Sequence, residues 1–99
     1  MLLREKDRQT LLAIFESIGT PIEVWAYGSR VNGNAHDGSD LDLVLRTPNL
    51  KRLDHDVFSS LCEKIRDSNI PILVELRDWS RLPESFHQNI LEKHVVLYG

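Results

Sequence analysis

The chain has 99 residues, of which 41% are hydrophobic and 27% charged, and a net charge of −3. That length supports one domain around one modest core, and the acidic balance argues against broad charge-driven binding of nucleic acid. A single cysteine, Cys62, excludes an internal disulfide and a cysteine zinc site, and beside Leu61 and Ile65 it reads as a small core or boundary residue.

Met1-Leu2-Leu3 runs directly into Arg4-Glu5-Lys6-Asp7-Arg8, so no secretory h-region is expected. No apolar run approaches the roughly 18–20 residues of a membrane span. A cytoplasmic chain without membrane association is the expectation. The first helix is predicted over Lys6 to Ile18, because Leu11, Leu12, Ile14, Phe15 and Ile18 recur at helical spacing. Gly19 stops it, and Pro21 prevents its continuation. Ile22 to Tyr27 reads as a strand, with Val24 and Ala26 on one face and Glu23, Trp25 and Tyr27 on the other. Ser29 to Gly33 forms a short helical turn, and Asn34 to Ser39 is rich in turn formers.

A second strand is predicted over Ser39 to Arg46. Period-two geometry places Asp40, Asp42 and Val44 on one face and Leu41, Leu43 and Leu45 on the other. Two acids on one strand face repel each other, so something positive should sit between them. Thr47-Pro48-Asn49 breaks the strand. A helix over Asp54 to Asp67 follows, with Val57, Phe58, Leu61, Cys62 and Ile65 as its buried stripe. A third strand, Ile72 to Arg77, carries Leu73 and Glu75 on one face, and Glu75 is the odd acid in an apolar run. Trp79 to Pro83 is a connection, Glu84 to Lys93 a last helix, and Val95 to Tyr98 a short strand or extended tail. This αβαβαβα order favours an α/β or α+β sandwich, with helices covering one face of a small mixed sheet. The short link between the first two strands allows them to pair antiparallel.

The stretch from Gly28 to Asp42 carries the chemistry. A Gly28-Ser29 pair ends the first strand, ten residues follow, and Asp40-Leu41-Asp42 opens the second. Gly28 lets a backbone approach a phosphate, Ser29 adds a hydroxyl and an amide donor, and Arg30 offers a phosphate contact or a local counter-ion. Asp40 and Asp42 can share divalent metals, and magnesium takes few carboxylates because phosphate oxygens and waters complete its shell. Glu75 completes a carboxylate triad if its strand lies beside the second.

Gly-Ser, ten residues, then Asp-x-Asp resembles the motif of the DNA polymerase β-like nucleotidyltransferase superfamily. The string GSRVNGNAHDGSDLDLVL is similar to its minimal, MntA-type branch. The resemblance covers nearly the whole chain and implies the polymerase β-like nucleotidyltransferase fold in a single domain over residues 1–99. It implies that Gly28 and Ser29 engage the phosphates of ATP and that Asp40 and Asp42 bind Mg2+, with two ions expected. The family's third acid falls on Glu75, one methylene longer than the usual Asp, as metal ligand, general base or neither. It further implies a small helical HEPN-type partner, an RNase toxin that the nucleotidyltransferase neutralises by transferring AMP to a tyrosine hydroxyl. The alternative is a nucleotide-binding or steric partner subunit without catalysis. Transfer to a small molecule or nucleic acid would need an additional substrate domain.

Blander roles compete at each position. Asp40 and Asp42 could be solvated strand-edge acids, Ser29 a helix cap, Arg30 a surface ion-pair partner and Glu75 an exposed edge acid. Glu75 is not expected to have Arg77 as its partner. His36, His55, His87 and His94 have no close metal-ligand spacing and read as polar surface. Trp25 and Tyr27 are assigned to packing, and Trp79 and Phe86 to core or partner interface.

Overall fold

A computed structural model describes residues 1–33, 35–36 and 38–99. Asn34 and Asp37, both within the loop expected over Asn34 to Ser39, lie outside the described residues. The elements follow the expected order: α1 (Glu5–Ser17), β1 (Glu23–Tyr27), α2 (Ser29–Asn32), β2 (Leu41–Arg46), α3 (His55–Arg66), β3 (Val74–Asp78), a 3₁₀ turn (Trp79–Arg81), α4 (Glu84–Glu92) and β4 (Val95–Tyr98). Several boundaries differ from the sequence reading. The second strand begins at Leu41, two residues later than the expected Ser39, which leaves Asp40 just before it. The third strand begins two residues later than Ile72 and runs on through Asp78, and the expected connection after it holds the 3₁₀ turn. The C-terminal stretch is a true strand, paired to β1.

Local chemistry explains the helix ends. Gly19, at a φ of 65°, takes the left-handed turn that stops α1. The Asp54 carboxylate accepts from the amides of Asp56 (2.9 Å) and Val57 (3.3 Å), capping α3. Asp78 does similar work from inside the protein. It is buried, and its carboxylate accepts from the backbone amides of Leu53 (2.9 Å) and Ser80 (3.0 Å), tying the approach to α3 to the 3₁₀ turn.

The four strands form one sheet in the order β3-β2-β1-β4. β1 runs antiparallel to β2 and β4, and β2 runs parallel to β3. Val24, Ala26, Leu41, Leu43 and Leu45 point to one face, where they pack with Leu11 and Phe15 of α1 and Leu61 and Ile65 of α3. The two helices thus cover that face, as the apolar stripes require. Cys62 is half-buried at its margin, and burial pushes its thiol up, consistent with a packing role rather than a reactive one.

The opposite face is partly roofed by α4 and the 3₁₀ turn. Ile90 and Trp79 close over Trp25, Tyr27 and Val44. Here the guanidinium of Arg46 lies 3.8 Å from the ring centroid of Trp25 and 4.4 Å from that of Trp79, a cation held between two aromatic faces. His94 stacks on Trp25 and His87 on Trp79, each with centroids 4.0 Å apart. His87 and His94 are therefore structural, each with a ring nitrogen on a backbone carbonyl, and not the polar surface residues expected from spacing. No helix among the described residues is long and apolar enough to cross a membrane.

Candidate active site

The strand register assembles the site. Across three neighbouring strands, Tyr27 lies opposite Asp42, and Asp42 lies opposite Glu75. One step further along, Trp25 lies opposite Val44, and Val44 opposite Arg77. Since side chains alternate along a strand, these two rows share the face away from α1 and α3. The sequence reading placed Asp42 and Glu75 on one face, and the parallel pairing of β2 with β3 makes them neighbours. Asp40 precedes β2 and is exposed.

Arg77 ties this face together. Its Nη2 donates to Glu75 Oε2 at 2.8 Å, and its Nη1 to Tyr27 Oη at 3.2 Å and Asp42 Oδ1 at 3.4 Å. This corrects the expectation that Arg77 is not the partner of Glu75. The positive charge demanded by adjacent acids is here, on β3, two residues beyond Glu75. The signal was present in Glu75-x-Arg77: residues two apart share a strand face.

Burial raises the Asp42 carboxyl above its ordinary value; Arg77 pulls it back, while Glu75 and Asp40 push it up further. Burial also raises the Tyr27 hydroxyl, which stays neutral beside Arg77. Burial alone would lower the Arg77 guanidinium, but Tyr27 and Glu75 more than offset this and hold it charged. Among the described residues no three His, Cys, Asp or Glu side chains stand close enough together to hold a metal ion. The expected triad of Asp40, Asp42 and Glu75 thus appears as two carboxylates bridged by an arginine, with Asp40 outside the bridge.

Gly28 turns the chain from β1 into α2 at φ 80° and ψ −156°, a region that belongs almost entirely to glycine. A Cβ placed here would lie 2.6 Å from Asp42 Oδ2. The backbone after β1 is therefore held in close contact with the central carboxylate, with no room for even a methyl group between them. Ser29 follows as the first residue of α2, half-buried. Gly28→Ala is expected to cost about 1–3 kcal/mol through backbone strain and to push Asp42 aside. A thermal melt and a nucleotide-binding titration should both worsen.

Arg30 departs from its expected role as a phosphate contact. It is buried, and its guanidinium donates to the backbone carbonyls of Leu2 (2.6 Å), Ser39 (2.9 Å) and His36 (3.5 Å). A buried cation needs such partners; Arg30 fastens the N-terminal segment and the loop before β2 to α2. His36 is exposed, and its Nδ1 accepts from the Gly38 amide at 3.1 Å within that loop.

A turn that only glycine permits, pressed on a strand carboxylate with a second carboxylate on the next strand, suits the handling of a phosphate–metal unit. Residues 9–99 match the family described as polymerase beta, nucleotidyltransferase. The chain belongs to that family. As a nucleotidyltransferase it is 32% identical over 95 residues to the probable protein adenylyltransferase MntA of Haemophilus influenzae, an alignment covering 96% of this chain and 82% of that one. A toxin–antitoxin solved with AMP-PNP is similar in structure, with a TM-score of 0.69, 20% identity, and coverage of 93% of this chain and 73% of that one. The MntA–HepT toxin–antitoxin gives 0.69, 15%, 97% and 73% for the same quantities. A mutant of that toxin–antitoxin gives 0.70, 22%, 98% and 74%. At these identities the solved structures carry the fold alone.

Proposed function

We propose that this nucleotidyltransferase transfers AMP from ATP to a hydroxyl, that of a tyrosine, on a helical HEPN-type partner, and so acts as the antitoxin of a toxin–antitoxin pair in the cytoplasm. The observation that carries the chemistry is the Gly28 turn held against Asp42, with Glu75 alongside on β3. The partner rests on likeness: the relative named above is called a probable protein adenylyltransferase, and similar solved structures are toxin–antitoxin complexes, one with AMP-PNP.

Gly28 and Ser29 hold the phosphates through backbone amides and the Ser29 hydroxyl. Asp42 and Glu75, once Arg77 releases their oxygens, together with Asp40 swung in from its exposed position before β2, would hold Mg2+, with phosphate oxygens and waters filling the remaining positions. When bound, the metal neutralises charge on the phosphates and orients the attacking oxygen. The acceptor oxygen forms a bond to the α-phosphorus, the bond from that phosphorus to the bridging oxygen of pyrophosphate breaks, and pyrophosphate leaves with the electron pair. The hydroxyl proton passes to a carboxylate of the site, for which Glu75 is available once Arg77 yields its oxygen. Arg77 also supplies a fixed positive charge beside the transferring group.

The test incubates the purified chain with the HEPN-type protein encoded beside its gene, magnesium and labelled ATP. One AMP per acceptor, on a tyrosine, is expected, with no label when Asp40 and Asp42 are both changed to Asn. If the partner gains no AMP and the double variant still neutralises it, the chain is a steric partner subunit and the transfer reading fails.

A further inference from the structure

The chain of contacts above accounts for phosphates and metal but leaves the nucleoside without a place. A cleft of about 240 Å³ opens between α4 and the turn that follows β1. We propose that this cleft receives the nucleoside of the donor nucleotide, its base against the Phe86 ring and its polar edge read by the Asn89 amide. The proposal rests on the nucleotidyl-transfer reading and names the part of the substrate that reading leaves unassigned.

Position argues for it first. Gly28 is one wall of the cleft and is also the residue held against Asp42. A polyphosphate seated at Gly28 therefore has its nucleoside end at the mouth of the cleft, not across open solvent. Tyr27 and Ile90 form an apolar floor, and both are packed into the core on this side of the sheet.

The helix supplies the rest. Phe86, Asn89 and Ile90 fall at i, i+3 and i+4, a single face, and Lys93 follows the last turn. Ile90 is 1% exposed and docks that face, whereas Phe86 is 42% exposed at the rim. An uncovered aromatic ring next to amide and ammonium groups suits a flat heteroaromatic ring better than an aliphatic side chain. An asparagine amide offers one donor and one acceptor, the pair that matches the amino group and N7 of adenine. Lys93 adds a positive charge to the lining of the cleft.

Size fixes the occupant further. The cleft is at or below the lower end of the roughly 300–1,000 Å³ typical of ligand clefts. It accommodates a base with its sugar at the opening but not a whole nucleoside triphosphate, which agrees with phosphates lying outside it at Gly28 and Ser29.

The experiment is calorimetric titration of the full chain, in magnesium, with a non-hydrolysable ATP analogue, the matching GTP analogue and inorganic tripolyphosphate. Phe86→Ala is expected to weaken the ATP analogue on the order of tenfold and to leave tripolyphosphate unchanged. Asn89→Ala is expected to erase any preference for the ATP analogue over the GTP analogue. Ser29→Ala should weaken the analogues and tripolyphosphate together. Phe86 lies outside the core, and a melting curve matching the wild type verifies that its variant is folded. If both α4 variants bind the ATP analogue as the wild type does, the proposal is overturned, including where Phe86→Ala instead loses a protein partner. If the wild type binds tripolyphosphate as tightly as the ATP analogue, the nucleoside site is overturned while the phosphate site stands. If it binds neither, the transfer reading falls and this proposal with it.

Discussion

Asp42→Asn is expected to remove nucleotidyl transfer while leaving the metal-free protein at least as stable as the wild type. Asp42 occupies the centre of the Tyr27–Asp42–Glu75 row, and its carboxylate is the group against which Gly28 is packed. An amide of the same shape keeps the packing but removes the negative charge that a divalent ion requires. The loss in rate should be at least about 10²–10³-fold, the scale seen when one preorganised electrostatic contact is removed. Stability should move the other way. The folded protein raises the Asp42 carboxyl, chiefly by burying it. A carboxyl raised on folding binds its proton more tightly in the native state than in the unfolded one. Its contribution to stability is therefore present below the unfolded value and is lost as pH rises through the folded value. At neutral pH the ionised Asp42 works against the fold, a cost maintained for function. Melting curves in chelator at pH 4 and pH 7 check this. The variant should match or exceed the wild type at pH 7, and the gap should narrow at pH 4. Asp40→Asn should also lose transfer, but with little change in melting, because that side chain is exposed. Retained transfer in Asp42→Asn, or a melting point well below wild type, would contradict the placement of the charge.

The contrast between Asp42 and Arg30 shows what a sequence can and cannot reveal. The place of Asp42 was legible because it depends on local facts: a two-residue period, a glycine-serine pair at fixed distance, and a strand between turns. Glu75 was legible as an anomaly, an acid in an apolar strand, though its neighbour could be known only from the strand order. Arg30 sits inside the same motif and invited the same reading. Its guanidinium instead satisfies the carbonyls of Leu2, His36 and Ser39, and the first of these is 28 residues away in the chain. No local pattern encodes such a contact. The stacking of Arg46 between Trp25 and Trp79, with His87 and His94 outside them, escaped for the same reason. It brings four elements together on the second face of the sheet. Helices α1 and α3 were clear because each carries a long apolar stripe. The role of α4 was less so, since one deeply buried residue, Ile90, anchors it and the rest of its face is left for the cleft.

Arg77→Met should lower the melting point of the metal-free protein and enlarge the stabilisation that magnesium gives. In the wild type one guanidinium serves Glu75, Asp42 and Tyr27 at once. Methionine keeps much of the stem packing and removes the charge. Two carboxylates on adjacent strands then face each other without a cation, and the Tyr27 hydroxyl loses a donor. Hydrogen bonds to charged groups are worth about 1.5–3 kcal/mol when buried, but the Arg77 and Glu75 side chains are each 38% exposed, so water screens the loss. About 1 kcal/mol is the reasonable expectation, which in a domain of this size lowers the melting point by about 4–8 °C. Magnesium competes with the guanidinium for the same carboxylate oxygens. Removing the competitor both frees the ligands and restores their mutual repulsion, so the ion binds more tightly and raises the melting point further. Thermal melts across a magnesium titration, with and without the substitution, read both effects without any transfer assay. Equal melting points in chelator would mean that Arg77 is not the counter-charge of the site. Equal magnesium shifts would mean that the ion and the guanidinium do not share oxygens, which would move the metal away from the Asp42–Glu75 pair and towards Asp40.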